Sequence, residues 1–231
     1  MLNIIFEDKD LLVLNKPAGL PCEPDAAKAF DNLQEQILNY YISSGQKAKN
    51  LIAGLAHRLD RQTSGLMVVS KKPSMLVKLN ELFLENQVHK NYLAVVEGDF
   101  RLKEIPQKLF LKKNLKNFRA EIFPFPKAGY KPILTQSIHL DFTDGLSLLD
   151  ISLLTGRYHQ IRATLSYLGH PVWNDQHYRG SVRLTEKRIG LHAWKIEFIH
   201  PISNELMKFT CLPVKEAPWT KFEPILSRLE E

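Results

Sequence analysis

Short apolar runs separated by charged or turn-forming residues are the first pattern in the chain. Ile4 to Phe6 and Leu11 to Leu14 have the length and the branched side chains of strands, with Glu7 to Asp10 as a charged turn between them. Similar runs predict further strands at 66–69, 88–97, 118–125, 135–141, 146–154 and around 194–198. Turn formers at Lys127 to Gly129 and Asp144-Gly145 separate consecutive runs, so neighbouring strands are expected to pair antiparallel.

Other segments repeat their apolar residues at helical spacing. They run over 31–43, from Pro73 to Phe83, over 159–168 and over 219–229. Each has one apolar face, which is typical of a helix that packs on a sheet or core. Asp31 and Gln34 resemble a capping pair at the start of the first of these helices.

One stretch places a carboxylate between two guanidinium groups in otherwise apolar surroundings. Asp60 lies between Arg58 and Arg61, and the buried strand predicted at 66–69 follows directly. A nearby arginine favours the charged form of a carboxylate, so Asp60 is expected to stay ionised at neutral pH. Such a group suits a nucleophile or general base, and it equally suits a structural ion pair. On these residues alone both interpretations stay open.

Several motifs follow one another along the chain. They are Asn15 to Leu20 (a Lys-Pro-x-Gly turn), His57 to Leu66 (His-Arg-Leu-Asp-Arg-Gln-Thr-Ser-Gly-Leu), Lys90 to Gly98 (Lys-x-Tyr-x-Ala-x-x-x-Gly), Gly156 to Arg162, Gly169 to Pro171 with Asp175, and Leu191 to Ala193 with His200-Pro201. In content and order this set resembles the RluA-type RNA pseudouridine synthases. Because the motifs span nearly the whole chain, their combination is far more specific than any one of them.

The resemblance implies a fold and a reaction. The expected fold is α+β, with a long mixed, mostly antiparallel sheet, flanking helices and a central RNA cleft. The expected reaction isomerises specific uridines in rRNA or tRNA to pseudouridine. A uridine is flipped out of its stack, Asp60 attacks, the glycosidic bond breaks, and the uracil is rejoined to ribose through carbon 5. No metal or other cofactor is implied, since isomerisation needs neither redox chemistry nor hydrolysis.

The motifs also imply roles for individual residues. Asp60, Tyr92 and Arg162 are the expected catalytic residues, with Arg162 pairing with Asp60 and Tyr92 holding the uracil ring. Arg58 is expected to bind RNA by entering the gap that the flipped base leaves. The other polar motif residues are expected to contact the RNA. They are His57, Arg61, Lys16, Arg157, His159 and Gln160.

Two positions depart from the family pattern. Tyr158 stands where Thr is common, and Ala163-Thr164 replaces a usual Val-His pair. The RNA surface near this helix is therefore expected to differ from that of better-matched relatives.

Composition sets the broad class without naming the substrate. The 231 residues are 44% hydrophobic and 24% charged, which is ordinary for a globular protein with a substantial core. One catalytic domain is expected over residues 1–231, with no separate N-terminal S4-like RNA-binding domain, and the protein is expected to be a monomer. The net charge of +6 is compatible with a structured RNA stem-loop as partner, and equally with a solvated basic surface.

Cysteine usage and hydropathy bear on localisation. Cys22 and Cys211 are the only cysteines, so no disulfide framework or cysteine metal cluster is expected, which fits a reducing cytoplasm. The sequence shows no signal-peptide pattern and no apolar run long enough to cross a membrane.

Three alternatives stay open on the residues. The Lys-rich segment from Arg101 to Asn117 is either a solvated loop or hairpin, or a phosphate-contacting surface. A non-catalytic RNA-binding protein would use the same surface. A hydrolase would pair Asp60 with a second carboxylate such as Asp150 or Asp175.

Overall fold

The structure is a computed structural model of the chain. It describes residues 2–24, 31–46, 51–101, 103–106, 108–182, 184–185 and 187–229. The chain divides into two compact units, Met1–His89 with Ala193–Cys211, and Lys90–His192 with Leu212–Glu231.

The first unit holds strands from both ends of its sequence and two helices. The elements are β1 (Asn3–Glu7), β2 (Leu11–Lys16), α1 (Leu33–Ser43), β3 (Gly54–Leu55), β4 (Ser64–Ser70), α2 (Pro73–Leu84), most of β11 (Leu191–Ile199) and β12 (Leu206–Thr210). β2 pairs antiparallel with β1 on one side and with β4 on the other, and β11 pairs antiparallel with β12. β12 was not among the predicted strands.

Continuous burial explains why β2 is central in this unit. Leu11 to Leu14 are fully buried, so both faces of the strand are covered. Leu11 and Val13 join a core cluster with Val68 of β4, Met75 of α2 and Phe198 of β11. The helix predicted from Pro73 therefore packs on the strands as its apolar stripe indicated.

The start of α1 differs from the prediction. The Asn32 side chain, not that of Asp31, accepts a hydrogen bond from the Glu35 backbone N–H at 3.1 Å. Gln34 donates instead to the carbonyl of Ala53 at 2.9 Å. The predicted capping pair is wrong by one residue, because Asn32 caps as well as Asp31 would and lies one position closer to the first turn.

The second unit holds the remaining elements. They are β5 (His89–Glu97), β6 (Leu109–Asn114), β7 (Arg119–Phe123), β8 (Lys131–Ile133), β9 (Thr135–Thr143), β10 (Leu146–Leu153), α3 (Gln160–Tyr167), a 3₁₀ turn (Gln176–Tyr178), a second 3₁₀ turn (Trp219–Phe222) and α4 (Glu223–Arg228). β10 pairs antiparallel with β5 and with β9.

Three strands of the second unit form a separate small sheet. β6 lies between β7 and β8, and both pairings are antiparallel. The Lys-rich segment therefore enters a hairpin at Leu109, and whether it contacts phosphate stays open. The strand predicted at 118–125 is shorter, Arg119–Phe123, and pairs with β6 rather than with β9. The small sheet packs through Leu111, Ala120 and Ile133 against Ala163 of α3 and Tyr178.

Gly65, within the motif from His57 to Leu66, allows a close approach of β4 and β11 in the first unit. Gly65 has φ +119°, and a Cβ there would lie 2.3 Å from the carbonyl oxygen and 2.5 Å from the nitrogen of Ala193. Neither backbone atom can move without shifting β11. A side chain at this position is therefore excluded by both conformation and space.

We predict that Gly65→Ala lowers the free energy of unfolding by at least about 2 kcal/mol, because overpacking against backbone cannot be relieved by a rotamer change. Gly145→Ala is the matched control, since Gly145 also has positive φ (+75°) but nothing lies within 4 Å of its missing Cβ. Urea denaturation measures both variants. Equal losses would show that the backbone conformation, not the close approach to β11, limits position 65.

Candidate active site

Asp60 lies in a tight turn of the first unit, between β3 and β4. The Asp60 carbonyl accepts a hydrogen bond from the Thr63 N–H at 3.0 Å, and the neighbouring Leu59 is buried. The Asp60 side chain is half-buried. The turn thus holds the carboxylate at a fixed place without enclosing it.

Lys16, the last residue of β2, is hydrogen-bonded to this turn. Its ammonium donates to the carbonyls of Pro17 and Leu20, both at 2.8 Å, and to the carbonyl of Arg61 at 3.3 Å. The side chain is fully buried. Lys16 is paired with Gly65 across β2 and β4. This register brings the ammonium to the Arg61 carbonyl, in the loop that carries Asp60.

The same two loops are joined by further bonds. The Gly19 N–H donates to the Arg61 carbonyl at 2.7 Å, and Arg61 Nε donates back to the Gly19 carbonyl at 3.0 Å. The Cys22 thiol donates to the Leu59 carbonyl at 3.2 Å. We call the contacts of Lys16, Gly19 and Cys22 with residues 59–61 the loop clamp.

Burial makes the Lys16 ammonium unusual. Removal from water lowers the pKa of Lys16 to about 8, and the negative charge of Asp60 opposes this shift. A fully buried ammonium that donates to three carbonyls positions the motif loop. The predicted RNA contact of Lys16 stays a prediction.

Arg58 and Arg61 flank Asp60 but differ in exposure. Arg61 is half-buried by the contacts of its guanidinium within the loop clamp. The Arg58 side chain is 65% exposed and forms an ion pair with Glu23 at 2.5 Å. Of the two, Arg58 is therefore the one whose guanidinium faces solvent.

His57 packs inside the first unit. Its Nε2 accepts a hydrogen bond from the Val68 N–H at 2.9 Å, and its ring stacks on Phe83 with centroids 4.6 Å apart. The β4 backbone therefore occupies Nε2, and the predicted RNA contact of His57 stays a prediction. His57 ties the motif to β4 and α2.

The remaining predicted residues belong to the second unit. Tyr92 lies on β5, opposite Ile151 of β10, and is only 8% exposed. Arg162 lies in the first turn of α3 and is 3% exposed. Arg157 is exposed just before α3, and Gln160 and His159 stand at the helix start.

Arg162 has a buried acidic partner. Its Nε and Nη2 donate to the two carboxylate oxygens of Asp175 at 2.6 and 2.9 Å. Asp175 is fully buried, so this bidentate pair fixes the plane of the guanidinium. The sequence did not predict Asp175 as a partner of Arg162. The signal was present, because a buried arginine requires a buried acid and Asp175 belongs to one of the family motifs.

Gln160 is also a structural residue. Its amide oxygen accepts from the Arg157 N–H and the Thr155 hydroxyl, both at 3.0 Å. Its amide nitrogen donates to the Leu134 carbonyl at 3.1 Å and to the Thr135 hydroxyl at 2.8 Å. All four hydrogen-bonding positions of a primary amide are thereby used. These four bonds make Gln160 a support for the start of α3, and its predicted RNA contact stays a prediction.

His159 and Arg162 share Tyr178 as a neighbour. The Tyr178 hydroxyl accepts from the Ala120 N–H at 2.6 Å and lies 3.0 Å from His159 Nδ1. Burial raises the pKa of Tyr178 to about 12, so the hydroxyl keeps its proton. This hydroxyl joins the β7 backbone to His159 at the start of α3.

Among the described residues, one group of side chains has the spacing of metal ligands. It consists of Asp8, Asp10 and His200, whose ligand atoms lie within 4.8 Å of one another. However, His200 Nδ1 accepts the N–H groups of Ile202 and Ser203, so the ring proton resides on Nε2, 3.4 Å from Asp8. That nitrogen has no lone pair for a metal.

Comparison with known proteins identifies the family. The family model for RNA pseudouridylate synthases matches residues 10–167. A Bacillus subtilis protein, the RNA pseudouridine synthase YhcT, is 31% identical over 94% of this chain and 68% of its own length. The ribosomal large subunit pseudouridine synthase C of Pasteurella multocida is 35% identical over 89% of this chain and 62% of its own length.

A solved structure agrees with the sequence matches. Human RNA pseudouridylate synthase domain containing 1 superposes with a TM-score of 0.72 at 27% identity, over 94% of this chain and 85% of that one. The chain belongs to the RNA pseudouridine synthase family. The predicted RluA-type resemblance, the α+β fold and the isomerase class are thereby confirmed.

The chain spans between 56% and 68% of the lengths of the curated relatives it matches. None of the helices in the described part of the chain has the length and apolar character needed to cross a membrane.

We predict that Lys16→Met lowers the free energy of unfolding by about 2 kcal/mol, because the apolar side chain fills the space but leaves buried carbonyls without a donor. The slope of log affinity for RNA against log salt concentration should not change, whereas loss of a phosphate contact would reduce it by about one. Denaturation and salt-dependent RNA binding test the two roles. A smaller slope with normal stability would restore the phosphate contact.

A pH series gives a second check on Lys16. Its ordinary pKa is 10.5 and its folded pKa about 8, so between these values the folded protein binds fewer protons than the unfolded chain. Lys16 therefore makes stability rise with pH in this window. Lys16→Met should remove that rise. Lys195→Met, which changes a half-buried lysine on β11, should leave the rise in place.

Proposed function

We propose that this chain isomerises uridine in RNA to pseudouridine with Asp60 as its reactive carboxylate. The observation that carries the proposal is the loop clamp, which fixes the backbone of residues 59–61 while the Asp60 side chain stays half-buried. A fixed, ionised carboxylate can attack a substrate that is brought to it, since positioning supplies much of the rate of such steps.

Tyr92 and Arg162 are proposed as the other catalytic residues. Their positions in the family motifs support this assignment, with Arg162 keeping Asp60 ionised and Tyr92 holding the uracil ring. The Asp175 pair supports a fixed orientation of the Arg162 guanidinium. Arg157 and Arg61 are proposed to contact the RNA, together with His159 and Arg58.

The substrate is proposed to be a stem-loop of structured RNA. The printed name of the Pasteurella multocida relative supports rRNA of the large ribosomal subunit, with tRNA as the alternative. The protein is further proposed to act as a monomer in the cytoplasm. Because the family model covers parts of both compact units, we propose that residues 1–231 act as one catalytic domain.

The hydrolase alternative loses support in the structure. Asp175 is fully buried and both of its oxygens accept from Arg162. Asp150 accepts a hydrogen bond from the Asn91 amide at 3.0 Å. A carboxylate locked in a bidentate ion pair cannot serve as the general acid that hydrolysis of a glycoside requires.

We predict that Asp60→Asn reduces the single-turnover rate by about 10³-fold or more, since the amide is not a nucleophile, while RNA affinity changes by no more than a few-fold. Tritium release from RNA labelled at carbon 5 of uridine measures the rate, and filter binding measures affinity. Total rRNA and total tRNA are used in parallel, which also separates the two substrate classes.

Asp99→Asn is the matched control for this variant. Asp99 is an exposed aspartate paired with Arg101, and it belongs to none of the motifs. Its rate should equal that of the unchanged protein. Measurable turnover by Asp60→Asn at more than a few per cent would rule out Asp60 as the reactive group.

Arg58 yields a prediction about base flipping. Unstacking a uridine costs free energy unless another group fills the gap, and a planar guanidinium can do so. Arg58→Ala should therefore slow modification by about 30-fold on a stem-loop whose target uridine is stacked, and by no more than about threefold on an RNA whose target is already unstacked. Single-turnover rates at saturating enzyme compare the two RNAs.

Arg101→Ala controls for the loss of an exposed, ion-paired arginine. The Arg101 side chain is 57% exposed and pairs with Asp99 as Arg58 pairs with Glu23. It should leave both rates unchanged. Equal losses on both RNAs for Arg58→Ala would instead assign Arg58 to alignment of the Asp60 loop.

A further inference from the structure

The positive charge of the chain is concentrated in one segment that the proposed reaction does not use. Residues 103–131 carry Lys103, Lys108, Lys112, Lys113, Lys116, Arg119, Lys127 and Lys131 against Glu104 and Glu121. This excess of positive charge equals the net charge of the whole chain, +6. The segment contains β6 and β7 and reaches the first residue of β8, so the small sheet carries a positive charge that suits a polyanion.

The tip of the β6–β7 hairpin presents apolar side chains within this charge. Asn114 pairs with Arg119, and residues 115–118 form the loop between them. Leu115 is 71% and Phe118 61% exposed. Single exposed apolar residues are common on protein surfaces, so exposure alone does not define a site.

The backbone of Phe118 is held in a conformation that its side chain disfavours. Its φ is +52°, in the left-handed region that bulky residues rarely adopt. Two side chains hold it there. The Tyr158 hydroxyl donates to the Phe118 carbonyl at 3.1 Å, and His177 Nε2 lies 2.9 Å from the same oxygen. A strained, doubly held residue at an exposed tip indicates a functional constraint.

Tyr158 links the tip to the helix that carries Arg162. Its ring stacks on His159 with centroids 3.7 Å apart, and the Lys113 ammonium lies 4.3 Å from its centroid. Tyr158 is also the residue that replaces the Thr common in RluA-type proteins. The hydrogen bond from the Tyr158 hydroxyl to the Phe118 carbonyl is therefore a property of this chain's own sequence. A protein with Thr at this position lacks the tyrosine hydroxyl that donates it.

We propose that the hairpin tip, residues 115–118, is a second RNA contact, at which Phe118 stacks on an unpaired base. Lys113, Lys116 and Arg119 lie within five residues of Phe118 in the sequence and would neutralise the adjoining phosphates. An exposed aromatic ring on a basic segment is the usual composition of a surface that binds single-stranded nucleic acid, because every base offers a face for stacking. The proposal takes from the proposed function only the choice of RNA as partner.

The site predicts a preference for unpaired RNA that is separable from catalysis. The probe is a fluorescein-labelled oligocytidylate of about twelve nucleotides, a length that covers one to three single-strand sites. It contains no uridine and cannot be a substrate. Fluorescence anisotropy at low salt should show Phe118→Ala weakening binding about tenfold, as expected for loss of one stacked base.

Matched variants separate stacking from charge and from folding. Leu115→Ala removes an equally exposed apolar side chain at the same tip, and should change affinity by less than about twofold because an aliphatic group does not stack. Phe118→Trp should keep the affinity, and its added emission should be quenched by the bound base. Tyr158→Phe removes one bond to the Phe118 carbonyl and should weaken binding less than Phe118→Ala does.

A twelve-base-pair G·C RNA duplex provides the second arm. Paired bases have no free face, so Phe118→Ala should leave duplex affinity unchanged. The proposal is overturned if the unchanged protein does not bind oligocytidylate, if Phe118→Ala binds it normally, or if duplex and single strand lose affinity equally. Tritium release assayed separately distinguishes this outcome from failure of the proposed function, since stacking can be present without turnover and turnover without stacking.

Discussion

The buried ammonium of Lys16 is the contact on which the geometry around Asp60 depends. It ends the central strand of the first unit and satisfies carbonyls in two different loops. Burying an ammonium is unfavourable unless hydrogen bonds compensate, and the lowered pKa of Lys16 shows that part of this cost remains. The compensation needs all of the carbonyls at once. If the loop at 17–20 moved away from the loop at 59–61, the buried ammonium would lose hydrogen-bond acceptors. The register of β2 with β4 therefore also fixes the turn that carries Asp60.

The second unit uses the same principle with different groups. Asp175 occupies two donors of Arg162, and the amide of Gln160 joins the segment before α3 to the start of β9. In each case a motif residue that looks like a ligand-contacting group is used to bind the protein itself. The motifs of this family therefore encode the support of the reactive groups as well as the groups themselves.

The local elements were largely predictable from the sequence, and their partners were not. The run at Leu11 to Leu14 and the helix from Pro73 follow from apolar periodicity, which depends only on nearby residues. The pairing of β7 with β6 depends on tertiary contacts with α3 and Tyr178, which no local pattern contains. The cap at Asn32 rather than Asp31 reflects a difference of one residue between two equally good capping side chains.

The site was predictable to a different extent for each residue. The strand that follows Asp60 was predictable, because its apolar run at 66–69 is visible in the sequence. The roles of Lys16, His57 and Gln160 could not be predicted, since a polar side chain has the same identity whether it faces water or a buried carbonyl. Burial decides between these cases, and burial is a property of the whole fold.

The ion pair of Arg58 with Glu23 has a consequence for how recognition can be selective. In the free protein the Arg58 charge is already balanced by the Glu23 carboxylate, so the proposed RNA contact would exchange one anionic partner for another. Exposed ion pairs of this kind contribute little net free energy, and the exchange is close to neutral. Arg58 can then contribute discrimination between correct and incorrect sites with almost no general affinity for nucleic acid. An enzyme that must leave its product RNA after each turnover benefits from an arginine whose alternative partner is always within reach.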